Sequence, residues 1–181
     1  MKSKTIALIG GAGFIGSHLV DMLLKEDVEK VVVFDNFVRG GTHNLENAIK
    51  DDRLELFHVK GDLTSIDEVN NATKNMDAVF HLASLSLPYC QEYPRSGLNV
   101  NILGTFNLLD ACVRNNVKRV VFTSSSSVYG NAVYSPIDEN HPLVGQSPYS
   151  ASKIAADQLA ISYFRSFELP VKLSLIHISE P

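Results

Sequence analysis

Near the start of the chain the apolar run Thr5-Ile-Ala-Leu-Ile9 breaks into Gly10-Gly11-Ala12-Gly13-Phe14-Ile15-Gly16. Such a run, followed by a glycine-rich turn and then by helical spacing, reads as a buried strand feeding a helix. The segment is GxxGxxG from Gly10 and GxGxxG from Gly11. The first glycines permit a tight turn and let an anion approach bare backbone, while Gly16 lets the helix close on the strand. The unpaired N–H groups of the helix start would then face a pyrophosphate. With 11 glycines among 181 residues, chance would supply this spacing about 0.03 times. A dinucleotide phosphate cradle at Gly10, Gly13 and Gly16 is therefore the first expectation.

The rest of the chain repeats the same unit. "TIALIG" precedes a helix over about Phe14 to Lys25, "VVVFD" follows, and then come a polar loop and a helical patch near Leu45 to Ile49. "LELFHVKGD" precedes a helix near Ile66 to Lys74, and "AVFHLAS" a long one over roughly Gly97 to Asn115. "RVVFTSSSSVYG" is a fifth strand, "SPYSASKIAADQLAISYFRSF" a helix, and "LPVKL" opens a sixth strand. These strands are rich in Val and Ile without clean alternation, as parallel strands buried on both faces are. Alternating β and α units of this size predict an α/β, doubly wound open parallel sheet with helices on both faces, and ligands at the carboxyl ends of its strands.

Composition closes off other classes. The charge of -4, from 16 Lys+Arg against 20 Asp+Glu with no basic block, argues against nucleic acid and anionic membrane surfaces as partners. No run reaches about 18 uninterrupted apolar residues, so no membrane span is expected. The opening "MKSKTIALIGGAGFIG" has a basic start, but glycines interrupt its apolar run and no small-residue cleavage site follows, so a strand is expected there rather than a leader. Cys90 and Cys112 lack metal-ligand spacing and read as buried, reduced thiols in a cytoplasmic protein. His81, after an apolar strand, reads as a core or capping histidine, and Ser124, Ser126 and Ser127 as hydrogen bonders at a strand end.

Two further features carry chemistry. Asp35 ends the second strand, 19 residues after Gly16, where a carboxylate would bond the adenosine ribose and repel a 2′-phosphate. NAD is thereby favoured over NADP, moderately so because Arg39 lies close by. Tyr149 and Lys153 stand four apart on a helix and share one face. A tyrosine near pKa ~10 is a poor base at neutral pH. An ammonium about 4 Å away, at an effective dielectric of ~20, favours the phenolate by roughly 4 kcal/mol. That is about three pK units, enough to bring the phenol near its working range.

With these motifs in order, the chain resembles an extended short-chain dehydrogenase/reductase of the nucleotide-sugar epimerase/dehydratase kind, similar to UDP-glucose 4-epimerases. The likeness runs from Thr5 to about Lys172 through "GGAGFIG", "FDN", "GDL", "HLAS", "NVNILGT", "TSSSSVYG", "DENHPL" and "YSASK". It implies a Rossmann-type domain, NAD as cofactor, a nucleotide-sugar substrate and a homodimeric parent. By the same resemblance Phe14 and Ile15 flank the pyrophosphate, Asp35 and Asn36 hold the ribose, and Asp62 and Leu63 border the adenine. Leu82, Ala83 and Ser84 line the nicotinamide side with Asn101 nearby, and Tyr149 and Lys153 form the catalytic pair. Ser125 takes the place of the residue that bonds the sugar oxygen.

The resemblance further implies hydride transfer from a sugar carbon to NAD while Tyr149 removes the hydroxyl proton. In an epimerase the resulting keto-sugar turns over and hydride returns to its other face. The family's 4,6-dehydratases usually carry Asp-Glu where this chain has Ser126-Ser127, so C4 epimerisation of a UDP-hexose is the leading expectation. Decarboxylation, dehydration and reduction remain open, as does a non-catalytic dinucleotide-binding regulator. Residues 1–172 are expected to form the NAD-binding domain, incomplete at its C-terminal side and inactive without a substrate lobe. The last nine residues, "LSLIHISEP", resemble a translated transposase sequencing adaptor, and residues 173–181 are expected to be a non-native tail.

Overall fold

The run Val31-Val-Val33 can be apolar throughout because both faces of its strand are covered. The computed structural model describes residues 4–57 and 61–174. Its strands are β1 (Lys4–Ile9), β2 (Val28–Phe34), β3 (Leu54–Leu56), β4 (Ala78–His81), β5 (Arg119–Thr123) and β6 (Val171–Ser174). They form one parallel sheet in the order β3-β2-β1-β4-β5-β6. This is the doubly wound Rossmann arrangement, in which the winding reverses between β1 and β4 and opens a crevice beyond their carboxyl ends.

The helices are α1 (Phe14–Leu23), α2 (Ile66–Thr73), α3 (Leu87–Glu92), α4 (Pro94–Gly97), α5 (Thr105–Arg114) and α6 (Pro148–Phe167). Right-handed crossovers put α1 on one face of the sheet, and α2, α5 and α6 on the other. Ile6, Leu8, Val31 and Val33 accordingly pack with Val20 of α1 and with Leu45 from the 3-10 turn Thr42–Leu45. Ala7, Ile9, Val32, Phe34, Val79 and Phe122 pack with Val69, Leu108, Leu109, Ala156 and Ala160. Cys90 and Cys112 are both buried. Among the described residues no helix is long and apolar enough to cross a membrane.

Ser147 fixes where α6 begins. Its hydroxyl accepts from the Ser150 N–H at 3.1 Å, and its own N–H donates to the Ser150 hydroxyl at 2.9 Å. With Pro148 at the first helical position, this reciprocal cap sets Tyr149 in the opening turn.

Three expectations need correction. The long helix over Gly97 to Asn115 is a composite of α4, a π-helical stretch Leu98–Gly104 and α5, and α3 precedes it. Within the wider turn Thr105 donates to the Asn101 carbonyl at 2.7 Å, and the Asn101 side chain is buried. The strand expected over "RVVFTSSSSVYG" stops at Thr123, and Ser126–Tyr129 forms a 3-10 turn. The helical patch near Leu45 to Ile49 is two 3-10 turns, Thr42–Leu45 and Ala48–Lys50. Leu173 and Ser174 continue β6 opposite Phe122 and Thr123; the rest of the "LSLIHISEP" segment lies outside the described residues, as do residues 58–60 of "LELFHVKGD".

Leu108 is fully buried in the larger core. Leu108→Ala should destabilise the chain by about 2–5 kcal/mol through lost burial and a residual cavity. Urea denaturation checks this, and a loss below about 1 kcal/mol would contradict the packing described.

Candidate active site

The glycine turn is shaped by backbone contact alone. Gly10 has φ +86°, its N–H donates to the Phe34 carbonyl at 2.8 Å, and a Cβ on it would stand 2.6 Å from the Ala83 nitrogen. A Cβ on Gly16 would stand 2.4 Å from the Gly10 oxygen. Both positions exclude a side chain. A Cβ on Gly13, by contrast, would meet only the Gly10 oxygen, at 3.5 Å, and this residue faces the cleft. Gly13 caps α1 with no side-chain hydrogen bond, so the first N–H groups of the helix have no side-chain acceptor. That is the arrangement a helix start offers to a phosphate.

The cleft beyond the strand ends is lined by Gly10 and Gly13, by Asp35 and Asn36, by Asp62 and Leu63, and by Leu82, Ala83 and Ser84. Nine residues expected from sequence are thus brought together from four stretches of chain. Phe14, Ile15 and Gly16 belong to the start of α1 beside it, with the Phe14 ring exposed and edge-on to His18. The Asp35 carboxylate ties β2 to the glycine turn: Oδ2 accepts from the Ala12 N–H at 2.9 Å and Oδ1 from the Phe37 N–H at 2.8 Å. Arg39 lines the same cleft.

Asn101 stands elsewhere. It is buried; its Oδ1 accepts from the Leu85 N–H at 2.8 Å, and its Nδ2 donates to the Leu85 carbonyl at 3.2 Å and the Ser152 hydroxyl at 3.0 Å. It braces Leu85, itself a lining residue, instead of facing the cleft.

Ser125, Tyr149 and Lys153 lie at the end of β5 and the start of α6. The Ser125 hydroxyl accepts from the Ser127 N–H at 3.2 Å and shares a hydrogen bond of 2.8 Å with the Ser127 hydroxyl. Tyr149 is half-buried. Lys153 is only 3% exposed, donates to the Thr123 carbonyl at 2.7 Å, and holds its ammonium 4.5 Å from the centre of the Phe122 ring. Burial pulls its pKa down to about 8, opposed by the Asp157 charge. Asp157, one turn further along α6, is pushed up to about 6 by burial, while Ser124 and Lys153 oppose that rise.

His81 is buried, as expected, beneath this end of the sheet. Its Nε2 lies 2.9 Å from the Thr105 hydroxyl. That hydroxyl gives its proton to the Asn101 carbonyl, so His81 must be the donor and carries its hydrogen on Nε2. Its ring stacks on Phe122 at 4.9 Å. Burial first, and the Lys153 charge second, hold its pKa down at about 3.

Sequence reasoning did not single out Thr123, Asp157 or Leu85. The i+4 spacing of Asp157 from Lys153 was the available signal; Thr123 and Leu85 carried none.

A family model described as GDP-mannose 4,6 dehydratase matches residues 8–178. The chain belongs to that family. This is the nucleotide-sugar epimerase/dehydratase group of extended short-chain dehydrogenase/reductases that its motifs resemble. UDP-glucuronic acid decarboxylase 3 of Arabidopsis thaliana is 33% identical over 177 residues, covering 94% of this chain and 49% of the relative. A solved UDP-N-acetylglucosamine 4-epimerase from Methanobrevibacter ruminantium superposes with TM-score 0.87 at 37% identity, over 96% of this chain and 54% of that one. A dTDP-glucose 4,6-dehydratase from Streptomyces venezuelae, solved with NAD bound, superposes with TM-score 0.89 at 32% identity, over 94% of this chain and 55% of that one. The chain spans about half the length of the curated relatives it matches.

The buried, neutral His81 predicts acid sensitivity. Below pH 6.5 the unfolded chain takes up a proton that folded His81 refuses until about pH 3, so this residue removes stability as pH falls through that window. His81→Gln keeps an N–H donor and does not titrate. Denaturation at several pH values should show the unaltered chain losing stability more steeply than the variant, by up to about 1.4 kcal/mol per pH unit. Parallel slopes would contradict the assignment.

Proposed function

We propose that the chain is the NAD-binding half of a nucleotide-sugar epimerase acting at C4 of a UDP-hexose through a transient 4-keto sugar. The cleft suits a dinucleotide. Gly10, Gly13 and Gly16, with the N–H groups of Phe14 and Ile15, would hold the pyrophosphate; Asp35 and Asn36 would take the ribose; Asp62 and Leu63 would border the adenine. Leu82, Ala83 and Ser84 line the nicotinamide side, and Asn101 keeps that wall in place through Leu85. Bound NAD would supply the hydride acceptor and donor for the sugar carbon.

The chain's own residues handle the proton. Tyr149 takes it from the sugar hydroxyl, Ser125 bonds the same oxygen, and Lys153 stabilises the phenolate by its charge. The observation that carries epimerisation over dehydration is the stretch Ser124–Tyr129. It offers hydroxyls, with Ser125 and Ser127 sharing a bond, where the family's dehydratases present carboxylates to eliminate water. A family named for a dehydratase does not fix the reaction, because relatives of similar identity carry the names of decarboxylases and epimerases.

Residues 1–181 by themselves give the sugar one wall of a pocket, which neither aligns reacting atoms nor excludes water. No turnover is expected from them alone. The exposed Phe106, Phe164 and Phe167 on α5 and α6 suit a homodimer contact in the whole protein. Turnover is to be sought in the product of the complete reading frame with UDP-, dTDP- and GDP-sugars. Interconversion of UDP-glucose and UDP-galactose is expected. Carbon dioxide from UDP-glucuronate, or water loss from a hexose, would replace this reading.

Two variants of that product test the roles. Tyr149→Phe should bind NAD nearly as before and lose turnover by orders of magnitude; normal turnover would contradict the mechanism. Asp35→Ala should narrow a preference for NAD over NADP measured by calorimetry, and equal affinity of the unaltered protein for both would remove the role given to Asp35.

A further inference from the structure

Lys153 needs an explanation that its direct contacts do not supply. One carbonyl and one aromatic face offset only part of the cost of burying an ammonium. Asp157 is as deeply buried, at 3% exposure, and lies one turn along the same face of α6. The two are hung from consecutive residues at the end of β5: the Thr123 carbonyl accepts from Lys153, and the Ser124 hydroxyl donates to Asp157 Oδ2 at 2.6 Å. A bond that short is typical of an ionised acceptor. Asp157 Oδ1 is buried without a hydrogen-bond partner. A lone buried carboxylate oxygen is costly, and the Lys153 charge acts on this carboxylate.

We propose that Asp157 is a positioning residue for Lys153: its buried carboxylate, held by Ser124, keeps the Lys153 ammonium charged and seated at the end of β5, one turn from Tyr149. What this does for catalysis rests on the proposed function; the charge coupling does not. The charges of the pair reach two other titratable groups, Lys153 acting on His81 and Asp157 on Tyr129. His81 on β4 and Tyr129 after β5 are neutral through the middle pH range, since burial lowers the first and raises the second, while Asp138 is held ionised by its bond from Tyr134. Glu139 and Asp138 act on Tyr129, and Tyr149 stands one turn before Lys153 on α6. Between about pH 6 and about pH 8 Asp157 and Lys153 are both charged. Removing the carboxylate leaves the ammonium with only its carbonyl and ring, so it gives up its proton at lower pH.

The test is an NMR titration of the Lys153 side-chain nitrogen in residues 1–181, assigned by the signal missing from Lys153→Met. Asp157→Asn preserves an acceptor for Ser124 but removes the charge. It should lower the Lys153 midpoint by about one unit or more, a tenfold change in the proton equilibrium. An unchanged midpoint overturns the proposal. Should that variant not fold, the Asp157 carboxyl carbon of the unaltered chain decides: ionisation before Lys153 titrates supports the coupling, and a carboxyl neutral throughout that titration overturns it. In the active protein, Asp157→Asn should also move the alkaline limb of the pH–rate profile to lower pH. A shifted Lys153 midpoint combined with full turnover by Lys153→Met would leave the coupling standing and remove the proposed function instead.

Discussion

The site depends on one place where two strands meet with no side chain between them. The Ile9 carbonyl accepts from both the Leu82 and Ala83 N–H groups, at 2.8 and 2.9 Å, and Gly10 then turns so tightly that a methyl group would strike the Ala83 nitrogen. This contact pins the exit of β4 against the exit of β1 at the point where the winding reverses. The crevice between them has a floor of backbone, and α1 starts at its edge with free N–H groups. Asp35 extends the same construction sideways by holding the Ala12 N–H. The end of the cleft beside α1 is therefore built largely from main chain.

The other end is built from buried polar side chains. His81, Thr105, Asn101 and Ser152 form one connected chain of hydrogen bonds under the cleft. Lys153 and Asp157 are fastened to Thr123 and Ser124. Such groups are tolerated where their partners are fixed, and here the parallel sheet fixes them because β4 and β5 end side by side. Burial shifts the titration of His81, Lys153 and Asp157 away from ordinary values. Perturbed groups gathered at one edge of a sheet mark where chemistry is feasible.

How much of this was legible in sequence follows from the range of each interaction. The strands announce themselves as apolar runs, and Gly10 to Gly16 and Tyr149 to Lys153 are local patterns read without a structure. The helix expected over Gly97 to Asn115 missed α3 and most of α4, which two prolines and little apolar periodicity hide, and a π-helical turn has no sequence signature comparable to a cap. Asn101, expected by resemblance near the nicotinamide side, braces the lining residue Leu85 across 16 residues, a contact that no local pattern announces. Thr123 and Asp157 were passed over because what they do depends on contacts 30 and 33 residues away in sequence. Spacing along a helix put Asp157 beside Lys153, but only the sheet shows that both are buried.

The central claim is that the crevice at the exits of β1, β2 and β4 is a dinucleotide site leading to Tyr149 and Lys153. A crystal structure of the chain grown with NAD tests it most directly. The account predicts the pyrophosphate over the first turn of α1, the adenosine ribose against Asp35, and the nicotinamide directed past Ala83 toward Tyr149. NAD bound in another place, or reversed so that the nicotinamide lies against Asp35, would contradict it.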